Sequence, residues 1–382
     1  MKSDASAERE RLETRAEPGL SLAVIRGGRA AEFLLTVTPL AGEAPSALVN
    51  RAAGVLRDTG GQILNMDVFC APAARGDVAG RLRSLWPEAE WPVTWIGHEG
   101  RTPGAAGVFV RAMTGVGIER IRLRGRAVGC WFDLPGGRQA ILGDLRDVET
   151  SRPRPDQARR LFEQALEALG QAGLDFSDVV RTWFYLDDIL SWYPEFNRVR
   201  SCFYRELGVA DGRLPASTGV GARSLSGAAI TGSLLARRPS RGALRGVPSP
   251  LQGPASRYGS SFDRAVEHAT PDLRRVWVSG TAAIDAEGGT VHAGDAPAQI
   301  EHTLRVVADL LRSRHMDWPD VVRAVVYARR ATDIAAYRRC LARAGIPPFP
   351  TILTTNVICR PDLLFEIELD AVKALSRRRP PR

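Results

Sequence analysis

The sequence predicts an α+β protein made of tandem units, each a mixed sheet with two helices on one face, three of them arranged as a pseudo-trimer. Three observations predict it. The stretches "DFSDVVRTWFY" (Asp175 to Tyr185) and "DWPDVVRAVVY" (Asp317 to Tyr327) share Asp, Asp, Val, Val, Arg and Tyr at a constant offset of 142 residues, which marks an internal repeat. Each copy sits in the same order of helix, strand, helix and strand. The segment 20–122 repeats that order by pattern rather than by identity.

The order reads as follows. The amphipathic runs "ARRLFEQALEALGQAGL" from Ala158 and "AQIEHTLRVVADLLRSRHM" from Ala298 predict the first helix of each copy. The β-branched and aromatic residues after each "DVV" predict a strand. A second helix follows, and an X-Pro dipeptide opens the next strand, in "LPASTGVG" from Leu214 and "FPTILTTNV" from Phe349. In the earliest copy these parts are "APSALVNRAAGVLRDTG", "QILNMDVFC", "ARGDVAGRLRSLW" and "WPVTWIG", with Trp91-Pro92 as the X-Pro pair. The predicted unit is α-β-α-β-β. The expected division is 1–19 disordered, 20–122 the degenerate unit, 123–238 the second unit, 239–256 a Pro/Gly/Ser-rich linker, 257–374 the third unit, and 375–382 a basic disordered tail.

Composition limits the function. At 382 residues, 44% hydrophobic and 25% charged, the chain can bury the cores of two or three domains. It has neither an apolar run of membrane-spanning length nor a signal-peptide segment at its start. A cytoplasmic protein without a membrane partner is expected, as a monomer or small homo-oligomer. The five cysteines form no CxxC and the five histidines no ligand-spaced pair, so neither a disulfide framework nor a metal is expected. Lys and Arg number 52 against 43 Asp and Glu, which favours an anionic partner. The arginines are spread along the chain without a nucleic-acid-binding motif, so a small polyanionic molecule is expected rather than nucleic acid.

The run "LLFEIELDAV" (Leu363 to Val372) alternates Phe365, Ile367, Leu369 and Ala371 with Glu366, Glu368 and Asp370. With a period of two, three carboxylates share one strand face. On an exposed strand that face is simply solvated. Lining a cleft, Glu366 and Glu368 would lie about 7 Å apart, and each would disfavour the ionisation of the other.

Four stretches, "DVVRTWFYLDDILSWYPEFNRVR", "LPASTGVG", "SPLQGPASRYGSSFDRA" and "VSGTAAI" together with "VICRPDLLFEIELDAV", resemble the chorismatase family, and the unit itself resembles the RidA/YjgF (chorismate mutase-like) fold. The resemblance runs from about Trp131 to Val372. It implies tandem RidA/YjgF-like units with clefts between them, and a cofactor-free enzyme that releases pyruvate from chorismate. RidA-type imine deaminases carry an Arg at the start of the strand after the X-Pro; here Pro350 is followed by "TILTTN", which argues against imine deamination.

The resemblance further implies that Glu366 is the catalytic acid, and that Cys359 marks the branch making 3-hydroxybenzoate rather than a dihydroxycyclohexadiene carboxylate; 4-hydroxybenzoate remains open. A hairpin centred on Pro361-Asp362 would set Val357 opposite Glu366, with Cys359 on the same side. Chorismate is a dianion, and Arg binds carboxylates bidentately. Arg264, six residues after Tyr258 in a loop resembling the RidA substrate segment, and Arg181 are candidates for that role. Tyr185 could hydrogen-bond the substrate, and Gly280, Thr281 and Ala282 offer small residues and backbone amides to a flat ring. A second class of function is a RidA-like ligand-binding module without turnover.

Overall fold

The computed structural model describes residues 11–98, 104–210 and 212–375. The first unit runs β1 (Arg11–Glu17), β2 (Leu20–Gly27), β3 (Ala30–Val37), α1 (Ala47–Thr59), β4 (Gln62–Cys70), α2 (Arg75–Leu85), β5 (Val93–Gly97) and β6 (Ala105–Thr114). The second runs β7 (Glu119–Leu123), β8 (Arg126–Leu134), β9 (Gly137–Leu145), α3 (Arg154–Gln171), β10 (Val179–Leu186), α4 (Tyr193–Glu206), β11 (Ala216–Gly221) and β12 (Ile230–Pro239). The third runs β13 (Ala243–Val247), β14 (Ala265–Ala269), β15 (Leu273–Ala282), α5 (Ala296–Ser313), β16 (Val321–Ala328), α6 (Ala331–Arg343), β17 (Thr351–Thr355) and β18 (Phe365–Ala374). Each forms a six-stranded mixed sheet of one topology: β1-β2-β3-β6-β4-β5, β7-β8-β9-β12-β10-β11 and β13-β14-β15-β18-β16-β17. The α-β-α-β-β order therefore holds three times, with three more strands in front of it.

Those leading strands correct the expected boundaries. Arg11–Glu17 is a strand paired antiparallel with β2, not disordered chain. Glu119–Leu123 already belongs to the second sheet. Segment 239–256 is not a linker, because Ala243–Val247 pairs antiparallel with β14. All three are edge strands, and in β1 and β13 nearly every residue is at least partly exposed, so no apolar alternation announces them. The outermost parts of the expected disordered ends, 1–10 and 376–382, lie outside the described residues.

The repeated Asp residues have a local cause. Asp175 accepts from the Ser177 amide at 2.8 Å while Asp178 accepts from the Asp175 amide at 3.0 Å, capping the turn that feeds β10. Asp317 and Asp320 do the same ahead of β16, at 2.9 Å each. A register shift follows in both copies, between Val179 and Arg181 and between Val321 and Arg323. It recurs in β4 between Ile63 and Asn65. The bulge turns Arg181 and Arg323 inward, where both are fully buried.

Helices cover one face of each sheet, giving three peripheral cores, while residues of all three units share a central one. Asn356 ties the units together at the centre, donating to Gly97 O at 3.0 Å and to Gly221 O at 2.9 Å. Trp183, Trp192, Trp277 and Trp318 are all core residues. Among the described residues no helix is long and apolar enough to cross a membrane.

Candidate active site

In β18 the predicted alternation is present, but the acidic face is not solvated. Phe365, Ile367, Leu369 and Ala371 pack under α5, while Glu366, Glu368 and Asp370 are 4%, 0% and 3% exposed on the inner face. Buried carboxylates require partners or a proton. Glu368 has partners: Arg181 and the Trp183 indole from β10, Arg323 at 3.0 Å from β16, and the Thr218 hydroxyl at 3.0 Å from β11. Burial pushes its pKa up, but Arg323, Arg181 and the Thr218 and Trp183 hydrogen bonds outweigh it, so the net shift is downward and Glu368 is an anion.

Glu366 has none of these. Among the described residues no protein group hydrogen-bonds its carboxyl, and it forms part of the wall of a cleft of about 1040 Å³ between the second and third units. Its pKa rises to about 8, first through burial and second through the charge of Glu368, with Arg181 opposing. Near pH 7 roughly nine in ten such carboxyls keep their proton.

Register isolates this position. Glu366 pairs with Tyr327 of β16; the equivalent pairs are Thr231 with Tyr185 in the second unit and Gly107 with Phe69 in the first. Of the three related positions only the third unit carries a carboxyl. Gly280 makes room for it, since a Cβ there would lie 2.0 Å from Glu366 Oε1. The Gly280 amide donates to Thr218 Oγ1 at 3.1 Å, and that hydroxyl donates to Glu368.

Cys359 lines the same cleft, although the expected hairpin does not form. Strand β17 pairs in parallel with β16, and β18 pairs with β15 and β16. Val357 instead bridges to Gly221 of the second unit, whose amide donates to Val357 O at 2.7 Å. The loop after β17 is thus fastened across the seam, which brings Cys359 to Glu366. Burial pushes the thiol up to about 12, with the Glu366 charge adding to it, so Cys359 is a neutral thiol.

Tyr258, Arg264, Gly280 and Ala282 also line the cleft. Arg264 is buried, donates twice to Gly253 O at 3.0 and 2.7 Å, and lies under the rings of Tyr258 and Phe262 at 5.4 and 5.6 Å. Arg360 also lies over the Tyr258 ring, at 5.0 Å.

Three expected site residues are elsewhere. Arg181 is spent on Glu368, because the bulge directs it inward between the units. Tyr185 lies in the central core, edge-on to Phe69 at 6.3 Å, since its strand is buried on both faces. Thr281 points away from the cleft and donates to Ser279 O at 2.9 Å, as strand alternation requires once Gly280 and Ala282 face it.

The sequence reading missed Tyr193, Asn197 and Arg200, one face of α4 turned to the cleft. A signal was present: Arg200 falls on the stripe of Phe196 and Phe203, where an apolar residue is expected. Among the described residues no cluster of His, Cys, Asp or Glu could hold a metal.

Comparison with known proteins matches residues 147–230 and 262–373 to the family described as endoribonuclease L-PSP. A 3-hydroxybenzoate synthase of Streptomyces hygroscopicus is 28% identical over 240 residues, 56% of this chain and 68% of that protein. A crystal structure of a chorismatase, 21% identical, superposes with a TM-score of 0.63 over 90% of this chain and 98% of its own. That superposition shows the fold, three tandem units included.

Proposed function

The chain belongs to the endoribonuclease L-PSP family, and from that premise we propose that it is a chorismatase, cleaving the enolpyruvyl ether of chorismate to pyruvate and a hydroxybenzoate, with 3-hydroxybenzoate the main product. The observation that carries this reading is Glu366, a carboxyl that keeps its proton at neutral pH in a cleft lined by arginines. Such a group suits the hardest step of the reaction. The terminal methylene of the enol ether is a weak carbon base, and protonating it demands a neutral acid held against it.

Transfer of the Glu366 proton to that carbon leaves positive charge shared with the ether oxygen, and the Glu366 carboxylate formed beneath it stabilises that charge. The C–O bond to the ring then breaks and pyruvate leaves with the ether oxygen. The neighbouring ring hydroxyl closes onto the vacated carbon, returning its proton to the Glu366 carboxylate, and the arene-oxide-like ring so formed reopens with its oxygen on the 3-position and loses the proton of that carbon. Chorismate equals pyruvic acid plus hydroxybenzoic acid in atoms and oxidation level, so no cofactor, oxidant or net water is needed. Hydrolysis to a dihydroxycyclohexadiene carboxylate would consume one water. Cys359, a neutral thiol beside Glu366, is assigned the proton transfers that carry the ring to the aromatic product. The likeness to the 3-hydroxybenzoate synthase supports that branch.

Incubating the purified chain with chorismate and separating the products chromatographically tests the reading. Pyruvate with 3-hydroxybenzoate is expected. Unchanged chorismate would reduce the cleft to a ligand-binding module, and pyruvate with a dihydroxycyclohexadiene acid would overturn the product assignment.

A further inference from the structure

The turns joining β2 to β3, β8 to β9 and β14 to β15 hold equivalent places in the three sheets. They meet around a cavity of about 90 Å³ that shares no lining residue with the cleft of Glu366. A void of about 10 Å³ adjoins it through Glu32 and Arg275.

Register shows how the charge of this cavity arises. The equivalent cross-strand pairs are Glu32 with Met113, Gln139 with Arg237 and Arg275 with Val372. Arg275 donates to Glu32 Oε2 at 2.6 Å, so the acid of the first unit and the base of the third offset each other. Arg237 is the further cation at this level. It is 1% exposed, and its Nη2 lies 3.6 Å from where a Cβ on Gly136 would stand, beside the second unit's turn. Arg111 and Arg241 bring the lining arginines of the two spaces to four, against three carboxylates, Glu32, Asp272 and Asp370.

Neighbouring groups feel this excess. His268 on β14 is 1% exposed, with Nε2 hydrogen-bonded to Arg241 O at 2.9 Å. Burial first, then Arg237, with Arg275 adding, push its pKa down to about 4, so it contributes no charge. Burial raises the Glu32 pKa, yet Arg275, Arg111 and Arg237 outweigh it and hold Glu32 below the ordinary carboxylate range. Excess positive charge away from water is costly. Guanidinium forks match a tetrahedral oxyanion bidentately, and the cavity has room for a few waters, hence for one such ion.

We propose that this cavity on the pseudo-threefold axis binds one inorganic oxyanion of the phosphate and sulfate class, which completes the charge balance of Arg237, Arg241 and Arg275 and ties the three units together. The proposal does not depend on the chorismatase reading.

The test titrates the full chain with inorganic phosphate at fixed ionic strength, followed by calorimetry and thermal midpoint. Wild type is expected to take one phosphate per chain, with a saturable rise in midpoint of about 3 °C at a hundredfold excess over Kd. Arg241→Gln alters an exposed side chain and should weaken binding about 10-fold. Arg237→Met should abolish it. Ala30→Leu keeps every charge but fills the cavity, and should abolish it too. Absence of saturable binding in wild type overturns the proposal, as does an affinity within threefold of wild type in Arg241→Gln or in a folded Arg237→Met, because an ion held in the cleft of Glu366 would survive both changes. A linear rise in midpoint shared by all variants is general salting-out and likewise overturns it.

Discussion

Glu366 and Glu368 stand two residues apart on the inner face of β18 and hold opposite protonation states. Two arginines, an indole and two hydroxyls surround Glu368, and among the described residues no protein hydrogen bond reaches Glu366. The fixed anion of one keeps the proton on the other. Two carboxyls on one strand become an acid and a counter-ion because only Glu368 meets the arginines that the second and third units bring inward.

Replacing the acid should separate activity from stability. Glu366→Gln keeps the shape and loses the proton, so pyruvate release should fall at least about 10³-fold. In the wild type the acid ionises near pH 4.5 when unfolded and near 8 when folded. The folded chain therefore loses stability, by up to a few kcal/mol, as pH rises from about 4.5 to 8. The glutamine variant escapes that loss and should match or exceed wild-type denaturation midpoints at pH 8.5. A variant of near wild-type rate removes Glu366 from the chemistry.

The same group sets the pH profile. The protonated form is the active one, so kcat should be level on the acid side and decline about tenfold per unit above pH 8. A basic limb centred below pH 6 would contradict the burial argument.

Removing the counter-ion acts on both properties. Glu368→Gln leaves Arg181 and Arg323 buried without their carboxylate, which should cost about 3–5 kcal/mol in chemical denaturation. The basic limb of kcat should also move to lower pH, since the second cause of the raised Glu366 pKa is gone. An unmoved limb would show that burial alone holds the proton.

Gly280→Ala tests the room beside the acid. The new methyl would fall 2.0 Å from Glu366 Oε1 and 3.0 Å from its Cδ. Because that carboxyl is the end of a flexible side chain, the fold should survive while kcat falls about 10- to 100-fold with KM little altered. Steady-state kinetics read the split directly.

Cys359→Ala should shift the product from aromatic toward non-aromatic acid, with pyruvate release retained. Its thiol is pushed up to about 12, so the wild-type product ratio should stay constant to pH 9, beyond where an ordinary thiol ionises. An unchanged mixture in the alanine variant takes the thiol out of the mechanism.

Much of the molecule was legible before folding. The paired "DVVR" copies, the X-Pro openings at Pro92, Pro215 and Pro350, and the period of two in β18 each depend on residues close in sequence. What failed was also systematic. The edge strands β1 and β13 have no apolar face to betray them. Tyr185 and Arg181 were assigned to a cleft because their strand leads toward one, yet the bulge and central core absorb both.

The sequence alone determined the units, their order and which side chains share a face, because backbone periodicity is a local property. Only the packing of three units decided what covers each face. That covering gave Glu368 its arginines, left Glu366 with a proton, and fastened the loop of Cys359 to the second unit beside the acid. Protonation and charge balance in a buried site depend on neighbours brought from far along the chain, and a strand pattern holds no record of them.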